Sequence, residues 1–131
     1  MSNDSTSTGL GSFNTAVGAG ALFSNIDGNS NNAVGVNALA SNTNGLYNNA
    51  VGFEALGANT TGFANVALGD LAGQDVITAN NVICIGASVT GADVSNSCYI
   101  GSIFGQTSSG GAAVFINSNG KLRHGNLLPT L

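Results

Sequence analysis

The stretch "NNAVGVNALASNTNGLY" (residues 31–47) is followed at once by "NNAVGFEALGANTTGFA" (residues 48–64), which nearly repeats it. In both copies a glycine follows an apolar residue, and this anchor glycine recurs along the chain in steps of 17 residues, with a last step of 15. The anchor glycines are Gly18, Gly35, Gly52, Gly69, Gly86 and Gly101. A fixed period of this kind is typical of repeat architectures, in which each copy packs on the next. The sequence therefore predicts six stacked copies of one unit.

Two sets of residues recur with the glycine and predict a ladder along the stack. The residue before each anchor is apolar: Val17, Val34, Val51, Leu68, Ile85 and Ile100. An asparagine precedes the anchor by four residues in the first four copies: Asn14, Asn31, Asn48 and Asn65. Stacked asparagine side chains can hydrogen-bond along a ladder and satisfy amides that would otherwise be buried unpaired. We expect these asparagines to be structural, with ion or ligand binding as the alternative.

The connecting stretches, such as "SNTNGLY" and "ANTTGFA", are turn sequences, because Asn tolerates and Gly prefers a positive φ. Gly, Asn, Thr and Ser are also poor helix formers. Each unit is therefore predicted to form two short strands and two turns, which is one coil of an all-β, parallel β-solenoid. Six coils at the strand spacing give a rod of about 29 Å. Such a rod leaves apolar stripes exposed, so we expect copies to bury their Ala and Leu faces against each other as a homotrimer.

Composition excludes several classes of function. The 131-residue chain carries a net charge of −4, and Lys121 and Arg123 are its only basic residues apart from one histidine. A nucleic-acid interface needs clustered Lys and Arg, so binding to nucleic acid is not expected. No apolar run is long enough to cross a membrane, so no membrane insertion is expected. The opening "MSNDSTSTGLGS" lacks the basic start and apolar centre of a secretory signal.

The unit "N-x-A-V-G-x-x-A-L" resembles the head repeats of trimeric autotransporter adhesins. It is still more similar to the repeat shafts of trimeric fibres, in phage tails or on bacterial surfaces, that end in an endosialidase-type intramolecular chaperone. The later "NVICIG" (residues 81–86) fits that family, "NSCYIG" (residues 96–101) fits less well, and "SGGAAVFINSNGKL" (residues 109–122) resembles its linking segment. The resemblance covers roughly residues 9–122. It implies a left-handed β-roll in each chain, a threefold axis between chains, and an extracellular location on a bacterial surface or a virion tail fibre.

The chaperone itself does not occur in this sequence. In such fibres it resembles a self-cleaving domain, so a chain ending at Leu131 is expected to be the mature product of that cleavage, with a chain that simply stops there as the alternative.

From the extent of the repeat we divide the chain into a Ser/Thr-rich lead-in (residues 1–8), the β-roll (residues 9–105) and a C-terminal interchain β segment (residues 106–131). "AAVFINSNG" alternates apolar and polar residues and ends in an Asn-Gly turn, which predicts a β-hairpin or an interchain strand.

No residues form a convincing catalytic, cofactor or metal site. His124 is the single histidine, and the acidic residues after Asp4 fall at different positions in their repeats, so no paired acid and base is indicated. A ring of Asn or Asp around a threefold axis could hold an ion. Cys84 and Cys98 belong to neighbouring positions in the repeat and should face opposite sides of a strand, so we expect two free, buried thiols.

Three functions compete. The first is an attachment module of a trimeric fibre, presenting rigid loops to a glycan or protein receptor with the avidity of three copies. The candidate contact residues lie in the turns: Asn25, Asp27, Asn42, Asn44, Asn59 and Thr60. The second is an ice-binding solenoid, which the irregular Thr ladder disfavours. The third is a carbohydrate-binding or carbohydrate-active solenoid, which the scattered acids and the absence of Trp disfavour. We expect the protein not to be an enzyme.

Overall fold

A computed structural model describes residues 11–103, 114–116, 119–120 and 122–124. The predicted lead-in and most of the C-terminal segment lie outside these residues. Six three-residue strands form one sheet in chain order: β1 (Thr15–Val17), β2 (Asn32–Val34), β3 (Asn49–Val51), β4 (Val66–Leu68), β5 (Ile83–Ile85) and β6 (Cys98–Ile100). A separate pair, β7 (Val114–Ile116) and β8 (Leu122–His124), is antiparallel.

Every strand of the large sheet pairs in parallel with the equivalent strand of the next repeat. Ala16 is opposite Ala33, and Ala33 is opposite Ala50, so partners are one 17-residue repeat apart. The last pairing places Ile83 opposite Cys98, which absorbs the shorter step of 15 residues. The prediction of an all-β parallel solenoid with this period is confirmed, and the six strands delimit five full coils.

Each coil contains one strand, so the prediction of two strands per coil is wrong. The second apolar patch of the repeat is a turn, in which Leu22, Leu39 and Leu56 have φ of 53°, 51° and 49°. A residue in this left-handed region cannot continue an extended strand. The coils still bond here, because the Leu22 N–H donates to the Ala38 carbonyl at 3.0 Å and the Leu39 N–H to the Ala55 carbonyl at 3.0 Å.

The core is a narrow apolar column inside the coils. Alanines from the strands (Ala33, Ala50, Ala67) meet alanines and leucines from the opposite turn (Ala38, Ala55, Ala72, Leu22, Leu39, Leu56), and all are buried. The expectation that Ala and Leu faces are buried between copies is therefore wrong, since they fill the inside of their own chain. The large apolar residues left outside include those directly before the anchor glycines, of which Val17 is 53%, Leu68 50% and Ile100 43% exposed. They also include aromatic residues outside the strands, of which Phe13 is 89% and Phe23 83% exposed.

The anchor glycines stand where two coils approach too closely for a side chain. Gly35 has a φ of 138°, and a Cβ built on it would lie 2.6 Å from the carbonyl carbon of Gly52. Gly18 and Gly52 have similar φ values and meet the next coil in the same way. Glycine is the one residue type that tolerates both the dihedral angle and the contact, which explains why the corner repeats it.

Candidate functional site

The four asparagines that precede the anchors form a ladder inside the solenoid. The Asn48 N–H donates to Oδ1 of Asn31 at 2.9 Å, and the Asn65 N–H donates to Oδ1 of Asn48 at 3.0 Å. Asn14 accepts from the Asn31 N–H in the same way, and Asn65 from the Val82 N–H. Each Nδ2 then donates to a carbonyl across the coil, as in the 2.8 Å bond from Asn48 to Gly62. Apart from a 3.4 Å bond from Nδ2 of Asn65 to Oδ1 of Asn59, the partners are backbone groups rather than stacked amides. The bonds occupy both ends of the amides, which leaves them poorly suited to hold a ligand.

A second asparagine ladder runs through residues that we predicted to contact a receptor. Asn25, Asn42 and Asn59 are buried. Nδ2 of Asn42 donates to Oδ1 of Asn25, and Nδ2 of Asn59 donates to Oδ1 of Asn42, both at 2.8 Å. Their assignment as contact residues is wrong, because their amides face inward and satisfy one another. Their 17-residue spacing was the signal that would have shown this.

The other predicted contact residues lie nearer the surface. Asn44 is exposed, and its Nδ2 donates to Oδ2 of Asp27 in the preceding coil at 3.3 Å. Thr60 is half-buried, and its hydroxyl donates to the Ile77 carbonyl at 3.1 Å. The Thr43 hydroxyl makes the same bond to the Thr60 carbonyl. These threonine hydroxyls are engaged with backbone, which gives no support to a hydroxyl-presenting ice-binding face.

Asp93 organises the shortened last coil. Its Oδ1 accepts from the N–H groups of Ile77, Thr78 and Ala79 at 2.7–2.9 Å, and its Oδ2 accepts from the Thr78 hydroxyl at 3.0 Å. Desolvation alone would raise the pKa of this carboxyl, but these hydrogen bonds outweigh it and lower the pKa to about 2. The side chain thus supplies acceptors to a backbone turn where the coil is two residues shorter.

The two cysteines are free, and they differ in exposure. Cys84 is buried, and its burial, together with the nearby Cys98 thiol, raises its pKa. Cys98 is exposed, so the expectation that it is buried is wrong for the single chain. Because Cys98 pairs in register with Ile83 and not with Cys84, the two thiols occupy opposite faces, as the spacing predicted.

Outward side chains of the six strands form a surface that we name the outer sheet face. It consists of two rows: Val17, Val34, Val51, Leu68, Ile85 and Ile100 in the first, and Thr15, Asn32, Asn49, Val66, Ile83 and Cys98 in the second. The first row is apolar throughout, whereas the second changes from polar to apolar at Val66. In the first row Val17, Val51, Leu68 and Ile100 are exposed, while Val34 and Ile85 are half-buried. An apolar stripe that remains accessible in this way is typical of a protein–protein contact surface.

The described residues contain no group of three His, Cys, Asp or Glu side chains able to hold a metal ion. The side chains of His124, Arg123 and Lys121 are not among those described. Within the same residues there is no helix of the length and apolarity required to cross a bilayer. Comparison of the chain with protein families, curated proteins and solved structures finds no match.

Proposed function

We propose that this chain is the repeat region of a homotrimeric extracellular fibre and serves as a structural and attachment module. The observation that carries the proposal is the outer sheet face, which presents an apolar row along all six strands. Burial of apolar surface stabilises association at about 25 cal/mol per Å² before the cost of association is subtracted. The three chains would place these faces around one axis, with the rolls left-handed as the family resemblance implies.

The attachment role follows from rigidity and copy number. The asparagine ladders join successive coils between Asn14 and Val82, so surface groups such as the exposed Asn44 and the half-buried Asp27 are held in place along the rod. Three parallel rods repeat each group three times, and linked weak contacts gain avidity without any new contact. A receptor on a cell or host surface is the partner we propose for a bacterial or virion fibre. The C-terminal segment (residues 106–131) would intertwine the chains, and its deletion should weaken the assembly.

Cys98 provides a test because it lies on the outer sheet face. In an assembled trimer we expect a maleimide to label Cys98 much more slowly than it labels the denatured chain. Cys84 serves as an internal reference, since it is buried within its own coil and should react only on unfolding. The variant Leu68→Asp places a charge on the apolar row and should restore rapid labelling of Cys98. Fast labelling of Cys98 in the unaltered protein would contradict the proposal.

The attachment role needs a separate measurement. We expect the fluorescently labelled protein to bind cells that carry its receptor, and the Leu68→Asp variant to lose most of that binding while keeping the circular dichroism of a folded solenoid. Equal binding by both would show that three-copy avidity plays no part, and no binding to any bacterial or host cell tested would contradict an attachment role.

A further inference from the structure

A shallow groove opens on the turn side of the solenoid, away from the outer sheet face. It has a volume of about 420 Å³, and the side chains around it include Asn37, Ser41, Glu54 and Gln74. This volume lies within the range of about 300–1,000 Å³ that small-molecule sites occupy. The groove crosses three neighbouring coils, so its walls are held by the stacking of the whole rod.

The groove arises from one position of the repeat. The residue five places after each anchor glycine is Phe23, Ala40, Gly57 and Gln74 in four successive coils. Two small residues therefore lie between two large ones, over a length of roughly 14 Å at the strand spacing. Phe23, one coil beyond the groove, is 83% exposed. An aromatic ring left so exposed on a soluble surface is available to pack against a ligand.

The walls carry hydrogen-bonding groups of several kinds. Nε2 of Gln74 donates to Oε2 of Glu54 at 3.2 Å, which fixes both side chains across the groove. A carboxylate and an amide each have further acceptor and donor capacity beyond this one bond. With the Asn37 amide and the Ser41 hydroxyl, the groove offers donors and acceptors within reach of one small polar molecule.

Charge limits what that molecule can be. Residues 11–103 contain Asp27, Glu54, Asp70, Asp75 and Asp93 and no Lys, Arg or His. A surface with this balance repels anions such as sialylated or sulfated glycans. Only one carboxylate lines the groove itself, and the other polar side chains around it, Asn37, Ser41 and Gln74, are uncharged. The lining thus suits an uncharged polyhydroxylated ligand better than a cationic one.

We infer that this groove binds an uncharged sugar of a surface glycan, with Glu54, Gln74, Asn37 and Ser41 bonding its hydroxyls and Phe23 packing against a ring. The inference rests on the proposed attachment role, for which it names the class of receptor. It also moves the contact surface from the predicted turns around Asn42 and Asn59 to the side of the coil around Ala40 and Gly57.

The test is calorimetric titration of the full chain with four neutral probes: lactose, cellotriose, mannotriose and triacetylchitotriose. Sialyllactose is the matched anionic probe for lactose, and pentalysine is the cationic probe. Ala40→Leu fills the groove, and Gln74→Ala removes one wall group without adding bulk. Thr61→Leu, on an exposed turn elsewhere in the coil, is the matched control. Circular dichroism and solution mass are recorded for each variant.

We expect at least one neutral probe to bind at millimolar or lower concentration. Ala40→Leu should abolish that binding, Gln74→Ala should weaken it about tenfold, as loss of one hydrogen bond does, and Thr61→Leu should leave it unchanged. Absence of binding by all four neutral probes would overturn the inference, as would binding that survives both groove variants, or binding of pentalysine alone. A threefold assembly that binds no sugar overturns only this inference, whereas a single-chain mass overturns the proposed function.

Discussion

Buried amides decide the structure at the scale of single residues. Asn48 is fully buried, and a buried polar group destabilises a fold unless it is hydrogen-bonded. Here the amide itself replaces missing backbone partners, since it accepts from the Asn65 N–H and donates to the Gly62 carbonyl. No buried side-chain nitrogen or oxygen of the described residues lacks a partner. The ladders therefore hold the coils in register as much as the strands do.

Substitution of a ladder asparagine should be costly. Asn48→Ala leaves the buried Asn65 N–H without its acceptor, whereas the Gly62 carbonyl keeps its bond from Nδ2 of Asn59. The free energy of unfolding should therefore fall by roughly 1–3 kcal/mol. Thr61→Ala, at an exposed turn position outside the outer sheet face, is the control and should change it by less than about 0.5 kcal/mol. Urea unfolding at one protein concentration measures both, since assembly adds stability by mass action. Equal effects of the two substitutions would contradict a structural role for the ladder.

Asp93 makes the stability of the last coil depend on pH. Its pKa in the folded chain is about 2, below the value of about 3.9 expected when unfolded. The carboxylate therefore stabilises the fold above the unfolded pKa, and this contribution is lost as the pH falls through about 2.

We expect Asp93→Ala to lower the melting temperature at pH near 6, and the difference from the unaltered chain to shrink as the pH approaches the folded pKa. Melting curves followed by circular dichroism across this range provide the measurement. A difference that stays constant with pH would show that the charge of Asp93 does not contribute.

At the scale of the element, a strand of three residues has one inward and two outward side chains. The inward residue is alanine in β2, β3 and β4, which keeps the coil narrow. The outward residues form the two rows of the outer sheet face. The change in the second row from Asn49 to Val66 makes the C-terminal half of this face more apolar than the N-terminal half. We therefore expect the chains to hold each other mainly through β4, β5 and β6.

A reciprocal pair of substitutions tests this asymmetry. Ile83→Asn gives β5 the residue that the same row has in β2 and β3, so the strand itself should tolerate it. Loss of its apolar contact should weaken the assembly, whereas Asn49→Ile should strengthen it. Sedimentation equilibrium over a range of concentrations measures both effects. A stronger assembly in Ile83→Asn together with a weaker one in Asn49→Ile would show that the outer sheet face does not join the chains. No change in either variant would show the same.

At the element scale, some features of the fold could be predicted from the sequence and others could not. The period, the strand positions and the pairing of Ile83 with Cys98 could all be predicted, because stacking requires equivalent residues to align. The turn at Leu22, Leu39 and Leu56 could not, because apolar β-tolerant residues normally indicate an extended strand and nothing local shows a positive φ. Asn25, Asn42 and Asn59 were misassigned because asparagine in a turn sequence looks solvated. Their 17-residue spacing indicated burial in the stack, since exposed turn residues need not repeat from coil to coil.

At the scale of the whole molecule, the described residues of the single chain satisfy their buried polar side chains but leave many apolar side chains exposed. The inside of the coils is closed by alanine, leucine and asparagine, while the outer sheet face leaves valine, leucine and isoleucine exposed. We predicted from the sequence that copies bury their Ala and Leu faces against one another, but these residues are enclosed by their own coil. Association of the chains stays a prediction. The positions of the bends decide which residues of a thin solenoid face inward. The sequence did not predict the bends at Leu22, Leu39 and Leu56.

The central claim is that three chains cover their outer sheet faces against one another. The most direct measurement is the molar mass in solution, by light scattering on a sizing column. We expect a single species of three times the chain mass of 12.8 kDa, and a smaller mass for the Leu68→Asp variant. A monodisperse species of one chain mass would contradict the trimer and leave the apolar face without its proposed partner.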